Sequence, residues 1–188
     1  MDTEHRLYEL LERIGRLLRP APRSASGPRL QPVHLAALHY LARANRYSDG
    51  PAAVAEYLGL TKGTVSQSLR LLRREGLIEA VADGADGRRI HLRPTPAGER
   101  LLAEALPPPL WRRAAGALAP EAAEALAAGL TELLRALQRA HGGRTFGLCA
   151  DCRHLRADPG GGHRCGLTGE PLAVEETRRL CRDQEPAA

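Results

Sequence analysis

The sequence is short of aromatic residues, with one Trp, one Phe and four Tyr in 188 positions. With so few rings, Leu, Ala and Val must build the core, and Leu/Ala-rich periodic segments favour helices over sheets. Lysine is nearly absent too. Lys62 is the single example, so the net charge of +5 rests on arginine, whose planar fork suits phosphate and guanine contacts. No apolar run approaches the roughly 20 residues of a membrane span, and the opening MDTEHR lacks the apolar stretch of a signal peptide. A cytoplasmic chain without membrane contact is therefore expected, in a compartment where stable disulfides are rare. There is no phosphate-binding glycine loop, no Ser/His/Asp arrangement and no second cofactor motif, so no enzyme is expected. Cysteine is missing from the first 148 residues and then occurs four times.

What is present reads as a series of helices. Leu7, Leu10, Leu11, Ile14, Leu17 and Leu18 recur at spacings of three and four, giving residues 2–19 one narrow apolar helix face. The Pro/Ser/Gly-rich stretch 20–32 is a loop, so this helix has little core of its own and calls for a partner helix. Pro32 opens a helix buried through Leu35, Leu38, Leu41 and Ala42, and Pro51 opens a shorter one carrying Val54, Ala55 and Leu58. Helices are also expected after Thr95 and after Pro120, the last with Leu126, Leu130, Leu133, Leu134 and Leu137 on one face. Pro107-Pro108-Pro109 must interrupt the chain between them, since three missing donors cannot be absorbed within a helix.

Residues 61–98 combine several local signals. Thr61 is a suitable N-cap, its hydroxyl free to accept from the backbone two or three residues on. Val65, Leu69 and Leu72 then mark an inward helix face. The outward face holds Lys62, Thr64, Ser66, Gln67, Arg70, Arg73 and Arg74, short polar groups first and arginines after. Gly76 suits the helix end. Two strands follow, joined by Asp83-Gly84-Ala85-Asp86-Gly87-Arg88-Arg89, with Asp-Gly pairs that favour a hairpin. A short helix, a tight turn and a second helix with a polar outer face are what place a recognition helix in a major groove. Thr64, Ser66, Gln67 and Arg70 are of the kinds that read base edges, with Thr61 and Lys62 at the same end of the helix, and Arg88 and Arg89 would reach the adjacent minor groove or its phosphates. A solvated helix face and a soluble loop are the plainer explanations, but they do not account for the order of the elements.

The helix-to-strand segment TKGTVSQSLRLLRREGLI and the run DGRRIHLRPTPAG resemble the MarR family of transcriptional regulators. That resemblance covers roughly residues 3–141. It implies a mainly α fold with a small β-hairpin wing, a winged helix-turn-helix in a dimeric architecture. Asp86 would brace Arg88 at the wing tip, and Thr95 and Gly98 would form the turn into the next helix. It further implies a homodimer built from the first and last helices, binding a pseudo-palindromic double-stranded DNA operator. The family commonly takes small phenolic ligands; a small-molecule effector is compatible with the sequence but nothing in it marks such a pocket.

The tail, residues 144–188, is charge-neutral, with seven Arg against seven acids, so the basic excess lies in residues 1–143. This divides the chain into a winged-helix domain and an irregular cysteine-rich extension. Cys149, Cys152, Cys165 and Cys181 follow C-x2-C-x12-C-x15-C. Gly-rich and poor in apolar residues, the segment can hardly fold on its own core, and a metal nucleus is the physical remedy. With only one CxxC knuckle, the spacing is similar to that of small proteins holding one 4Fe-4S cluster; a closed Zn2+ site is the alternative. Arg153, Arg156, Arg164, Arg178, Arg179 and Arg182 could offset the thiolate charge. His154 and His163 are nearby surface residues or outer partners. The expectation is a redox-, oxygen- or iron-responsive repressor, with structural zinc in a constitutive or ligand-responsive regulator as the alternative. An electron-transfer protein is the third reading.

Overall fold

A computed structural model describes residues 2–18, 30–84, 89–142, 144–158 and 160–187. The chain runs α1 (Thr3–Leu17), α2 (Pro32–Arg43), α3 (Pro51–Leu58), α4 (Lys62–Arg74), β1 (Ile78–Ala82), β2 (Ile90–Pro94), α5 (Pro96–Ala105), α6 (Pro109–Gly116) and α7 (Pro120–His141). Among these helices, α2, α3, α5, α6 and α7 open on proline, whose fixed φ and missing N–H suit a first turn. Thr61 and Thr95 cap α4 and α5, accepting from the backbone of Thr64 and Gly98 at 3.2 Å. Helix α4 ends before Gly76, which takes φ +66°. The triple proline breaks the chain where expected, with α5 stopping at Ala105 and a cis Leu106–Pro107 bond.

The core sits where α2, α3 and α4 meet the hairpin. Leu38, Leu41, Val54, Val65, Leu69, Leu72, Ile78 and Leu92 are buried together, joined by Leu102 of α5. β1 and β2 are antiparallel, pairing Ile78 with Pro94 through Ala82 with Ile90. That register turns Leu92 inward, where its N–H also donates to Asp49 O of the α2–α3 turn at 3.1 Å.

Helices α1 and α7 are different. Neither contains a buried residue. Leu7, Leu10, Ile14 and Leu17 on α1 and Leu126, Leu130, Leu134 and Leu137 on α7 are all exposed. A 22-residue helix with a continuous uncovered leucine face is unlike the surface of an isolated monomer.

The tail is made of very short elements: β3 (Gly147–Leu148), a 3-10 turn (Cys149–Asp151), β4 (Leu155–Ala157), β5 (His163–Cys165), β6 (Pro171–Leu172), α8 (Val174–Thr177) and β7 (Leu180–Cys181). β3 pairs with β7, and β4, β5 and β6 form a second antiparallel sheet. Its largest apolar groups are not kept to itself. Phe146 and Leu180 enter the core of the winged helix. Phe146 stands edge-on to Tyr40 and Tyr57, with ring centroids 5.9 and 5.2 Å away, while Tyr40 and Tyr57 lie 4.4 Å apart. The chain's one phenylalanine thus completes an aromatic cluster between α2, α3 and the tail, each such pair worth about 0.5–1.5 kcal/mol beyond burial.

Candidate nucleic-acid interface and cysteine site

Helix α4 presents one coherent polar face. Val65, Ser68, Leu69 and Leu72 are buried, and the 3.6-residue period leaves Thr61, Lys62, Thr64, Ser66, Gln67, Arg70, Arg73 and Arg74 exposed. Ser68 is inward because its hydroxyl donates to Thr64 O within the helix (3.0 Å). Arg70 Nε donates to Ser66 O at 3.3 Å, an orientation that holds the guanidinium along the helix rather than loose in solvent. No acidic side chain stands in the first turn, so the positive helix N-terminus is uncompensated.

The hairpin projects beside it. Asp86 and Arg88 lie outside the described residues, so their bracing is not described. Arg89 is exposed, and its guanidinium lies 6.0 Å from the ring centre of Tyr47. At the hairpin base is a residue that sequence reasoning missed. His91 is buried, and its Nδ1 meets both carboxylate oxygens of Asp49 (2.8 and 2.9 Å), while Nε2 meets Asp83 Oδ2 at 2.9 Å. One imidazole thus ties the α2–α3 turn to the mouth of the wing. In the strand His91 alternates with the inward Leu92, so the pattern reads it as outward and no local signal marks its burial.

Hydrogen bonding to Asp83, followed by Asp49, raises the His91 pKa above its ordinary 6.5 against the opposing cost of burial. Burial raises the Asp49 carboxyl likewise. A raised histidine stabilises the fold fully below 6.5 and loses that contribution as pH climbs through the shifted value. The native protein is therefore expected to lose stability as pH rises above 6.5, with His91→Gln flat over the same rise. Denaturant titrations at both ends check this; equal slopes for the two proteins would refute the clamp.

The four cysteines are free thiols. Cys149 and Cys181 are buried, placed side by side because β3 and β7 pair Gly147 with Cys181. Their sulfurs share a hydrogen bond, which together with burial drives Cys149 up and, against the opposing cost of burial, holds Cys181 down at about 6. The buried Asn45 donates Nδ2–H to Cys149 Sγ at 3.3 Å and also helps lower Cys181. Cys152 ends the 3-10 turn and is close enough to act electrostatically on Cys149. Cys165 stands on β5, opposite Leu155. Among the described residues no three Cys, His, Asp or Glu side chains already form a metal-holding group. Of the expected charge-compensating arginines, Arg182 pairs with Glu56, Arg164 with Asp158 and Arg153 with Glu185. Those three are paired with carboxylates. His154 faces Glu185 at 3.3 Å.

The extension is stitched to the winged helix at one place. Arg182 forks onto Glu56 (2.7 and 2.6 Å), and its N–H donates to Ser48 Oγ at 2.8 Å. Arg46 reaches back to Pro171 O at 2.7 Å and to Glu176 at 3.0 Å, and the Tyr47 hydroxyl donates to Glu170 at 2.7 Å.

Residues 30–89 match the family model described as MarR family, the segment from the start of α2 to the exit of the wing. Over these residues the chain is similar to the MarR family. Solved structures agree on the fold. S. aureus MepR in complex with DNA is 26% identical with a TM-score of 0.53, covering 73% of this chain and 100% of its own. Streptococcus pneumoniae FabT in complex with DNA is 23% identical with a TM-score of 0.59, over 74% of this chain and 99% of FabT. Bordetella bronchiseptica BpsR, whose DNA binding is regulated by 6-hydroxynicotinic acid, is 21% identical with a TM-score of 0.51, over 70% and 92%. No curated protein matches the chain by sequence. Each neighbour is spanned nearly whole, while about a quarter of this chain has no counterpart in it. Among the described residues no helix is long and apolar enough to cross a membrane.

Proposed function

We propose that this protein is a cytoplasmic, homodimeric transcriptional repressor that binds a pseudo-palindromic operator, and that a four-cysteine metal centre modulates the binding. The observation that carries the DNA reading is the exposed face of α4, from Thr61 to Arg74, on a MarR domain. The MepR complex with DNA, at 26% identity, supports it. Ser66, Gln67 and Arg70 read base edges; Lys62, Arg73 and Arg89 meet phosphate. The uncovered leucine faces of α1 and α7 pair with those of a second copy, setting two recognition helices about one DNA turn apart.

The donor chemistry of the tail fits a metal: four unpaired thiols, two of them in contact, and a buried amide aimed at one sulfur. Cys149, Cys152, Cys165 and Cys181 would hold a 4Fe-4S cluster, and the single CxxC with its unequal spacing is why iron-sulfur is preferred over zinc. The cluster would supply sensitivity to oxidant, oxygen or iron. The chain's part is to present thiolates, give up their protons on loading, and hold the loaded tail on the α2–α3 turn.

One anaerobic preparation tests all of this. It is expected to run as a dimer, to contain iron and acid-labile sulfide, and to bind operator with affinity that falls steeply as salt rises. Oxidant should change the affinity of the native protein and leave that of Cys149→Ser with Cys152→Ser unaffected. Salt-independent binding would sink the DNA reading. A colourless zinc protein would replace cluster by structural metal, and a metal-free one would remove the centre.

A further inference from the structure

Besides the Arg182–Glu56 pair and the Phe146 cluster, the contacts between tail and winged helix gather on residues 44–49, where Asn45 is buried. It is only 1% exposed, yet every polar group it has is engaged. Its N–H donates to Leu180 O at 2.9 Å, and its carbonyl accepts from Ser48 N–H at 2.9 Å. Its Oδ1 accepts from Tyr47 N–H at 3.1 Å, and Nδ2 donates to Cys149 Sγ. This network fixes which end of the amide faces the sulfurs. A flipped side chain would set NH2 against the Tyr47 N–H, two donors together, and a carbonyl oxygen against sulfur. The amide is thus a locked donor pointed at the Cys149–Cys181 pair. A neutral thiol is a weak acceptor for such a donor, whereas a metal-bound thiolate is a charge-assisted one.

The same turn leads to the DNA-binding elements. Ser48 O accepts from the Tyr40 hydroxyl at 2.7 Å, and four residues past Asn45, Asp49 grips His91 of β2 and receives the Leu92 N–H. Whatever fixes Asn45 therefore fixes the turn that positions both α3 and the wing strand.

We propose that Asn45 is the positioning residue that couples the cysteine centre to the MarR domain: its N–H···S bond holds metal-bound Cys149 and, in return, the loaded centre holds the α2–α3 turn. This rests on the reading of the cysteines as metal ligands. Partners that donate to or orient a metal ligand are worth about 10–100-fold in metal affinity, and hydrogen bonds to sulfur tune the potential of a cluster. Coupling is reciprocal, so the metal must strengthen the turn by as much as the turn strengthens the metal.

The test uses the full chain purified without air. Asn45→Ala removes the donor and leaves space; Asn45→Asp keeps the shape and puts an acceptor in its place. Release of iron to a ferrous chelator, or of zinc to a chromogenic one if the preparation holds zinc, is expected to be about 10-fold faster in both variants. The ratio of operator affinities between loaded and stripped protein should fall towards one in both. In wild type, amide exchange over residues 44–49 should slow on loading, a readout that needs no variant to fold. Metal release and affinity ratio unchanged in both variants, or exchange indifferent to loading, would overturn the coupling while leaving the metal centre standing. Wild type without metal would overturn the reading beneath it.

Discussion

Gly98→Ala is expected to destabilise the protein by about 3 kcal/mol or more, at or beyond the upper end of overpacking costs, and to lower Tm by roughly 6–12 °C for a chain of this size. A Cβ there would stand 2.2 Å from Leu77 O and 3.2 Å from Leu38 Cδ1. The first contact is with backbone that cannot step aside. Leu77 O already accepts from Thr95 N–H at 3.0 Å, so displacing it breaks the junction between α4, β1 and α5. Thr95 caps α5 through Gly98 N–H and donates its hydroxyl to Gly76 O, which ties the helix start to the end of α4. Gly116→Ala, where an added methyl meets nothing within 4 Å, is the control and should be near neutral. Thermal melts of the two variants side by side decide the matter; equal Tm values would show that the α5 junction yields more easily than its geometry says.

The second large effect concerns recognition. Gln67→Ala combined with Arg70→Ala should weaken operator binding by about 2–6 kcal/mol, since each good base contact is worth about 1–3 kcal/mol. Binding to unrelated DNA should change far less. Lys62→Ala should behave in the opposite way, weakening all sequences alike and reducing the salt slope by about 0.9 if Lys62 meets one phosphate. Fluorescence anisotropy on operator and scrambled duplexes, at several salt concentrations, separates the two patterns. A uniform loss from the Gln67/Arg70 pair would move those side chains from base reading to phosphate contact.

Much of the winged-helix domain was legible in advance because its signals are local. Thr61, Gly76, Pro32, Pro51 and Thr95 mark element ends through the backbone chemistry of one or two turns. The inward Val65, Leu69 and Leu72 follow from a period of 3.6, and the outward polar face is its remainder. The candidate DNA-reading face on α4 needed no tertiary information, and the description as exposed holds for every residue expected there.

The cysteine spacing raised the expectation of a metal centre and said nothing of what surrounds the sulfurs. Asn45 and Cys149 are 104 residues apart, and nothing in the flanking sequence pairs them. The same is true of His91, Asp49 and Asp83, which form a clamp only once α2, α3 and β2 are assembled. Phe146 looked like part of a weak tail and instead completes the aromatic cluster with Tyr40 and Tyr57.

The sequence by itself determined the helices, the wing strands, the polar face of α4 and a neutral tail bearing four thiols, because backbone capping and residue periodicity act within a few positions. Only the tertiary structure decided where that tail goes: onto the α2–α3 turn, through Asn45, Arg46 and Ser48, and onto α3 through Glu56. The reason is that hydrogen bonds and ion pairs between distant segments depend on which surfaces the core brings together, and a linear pattern does not record that.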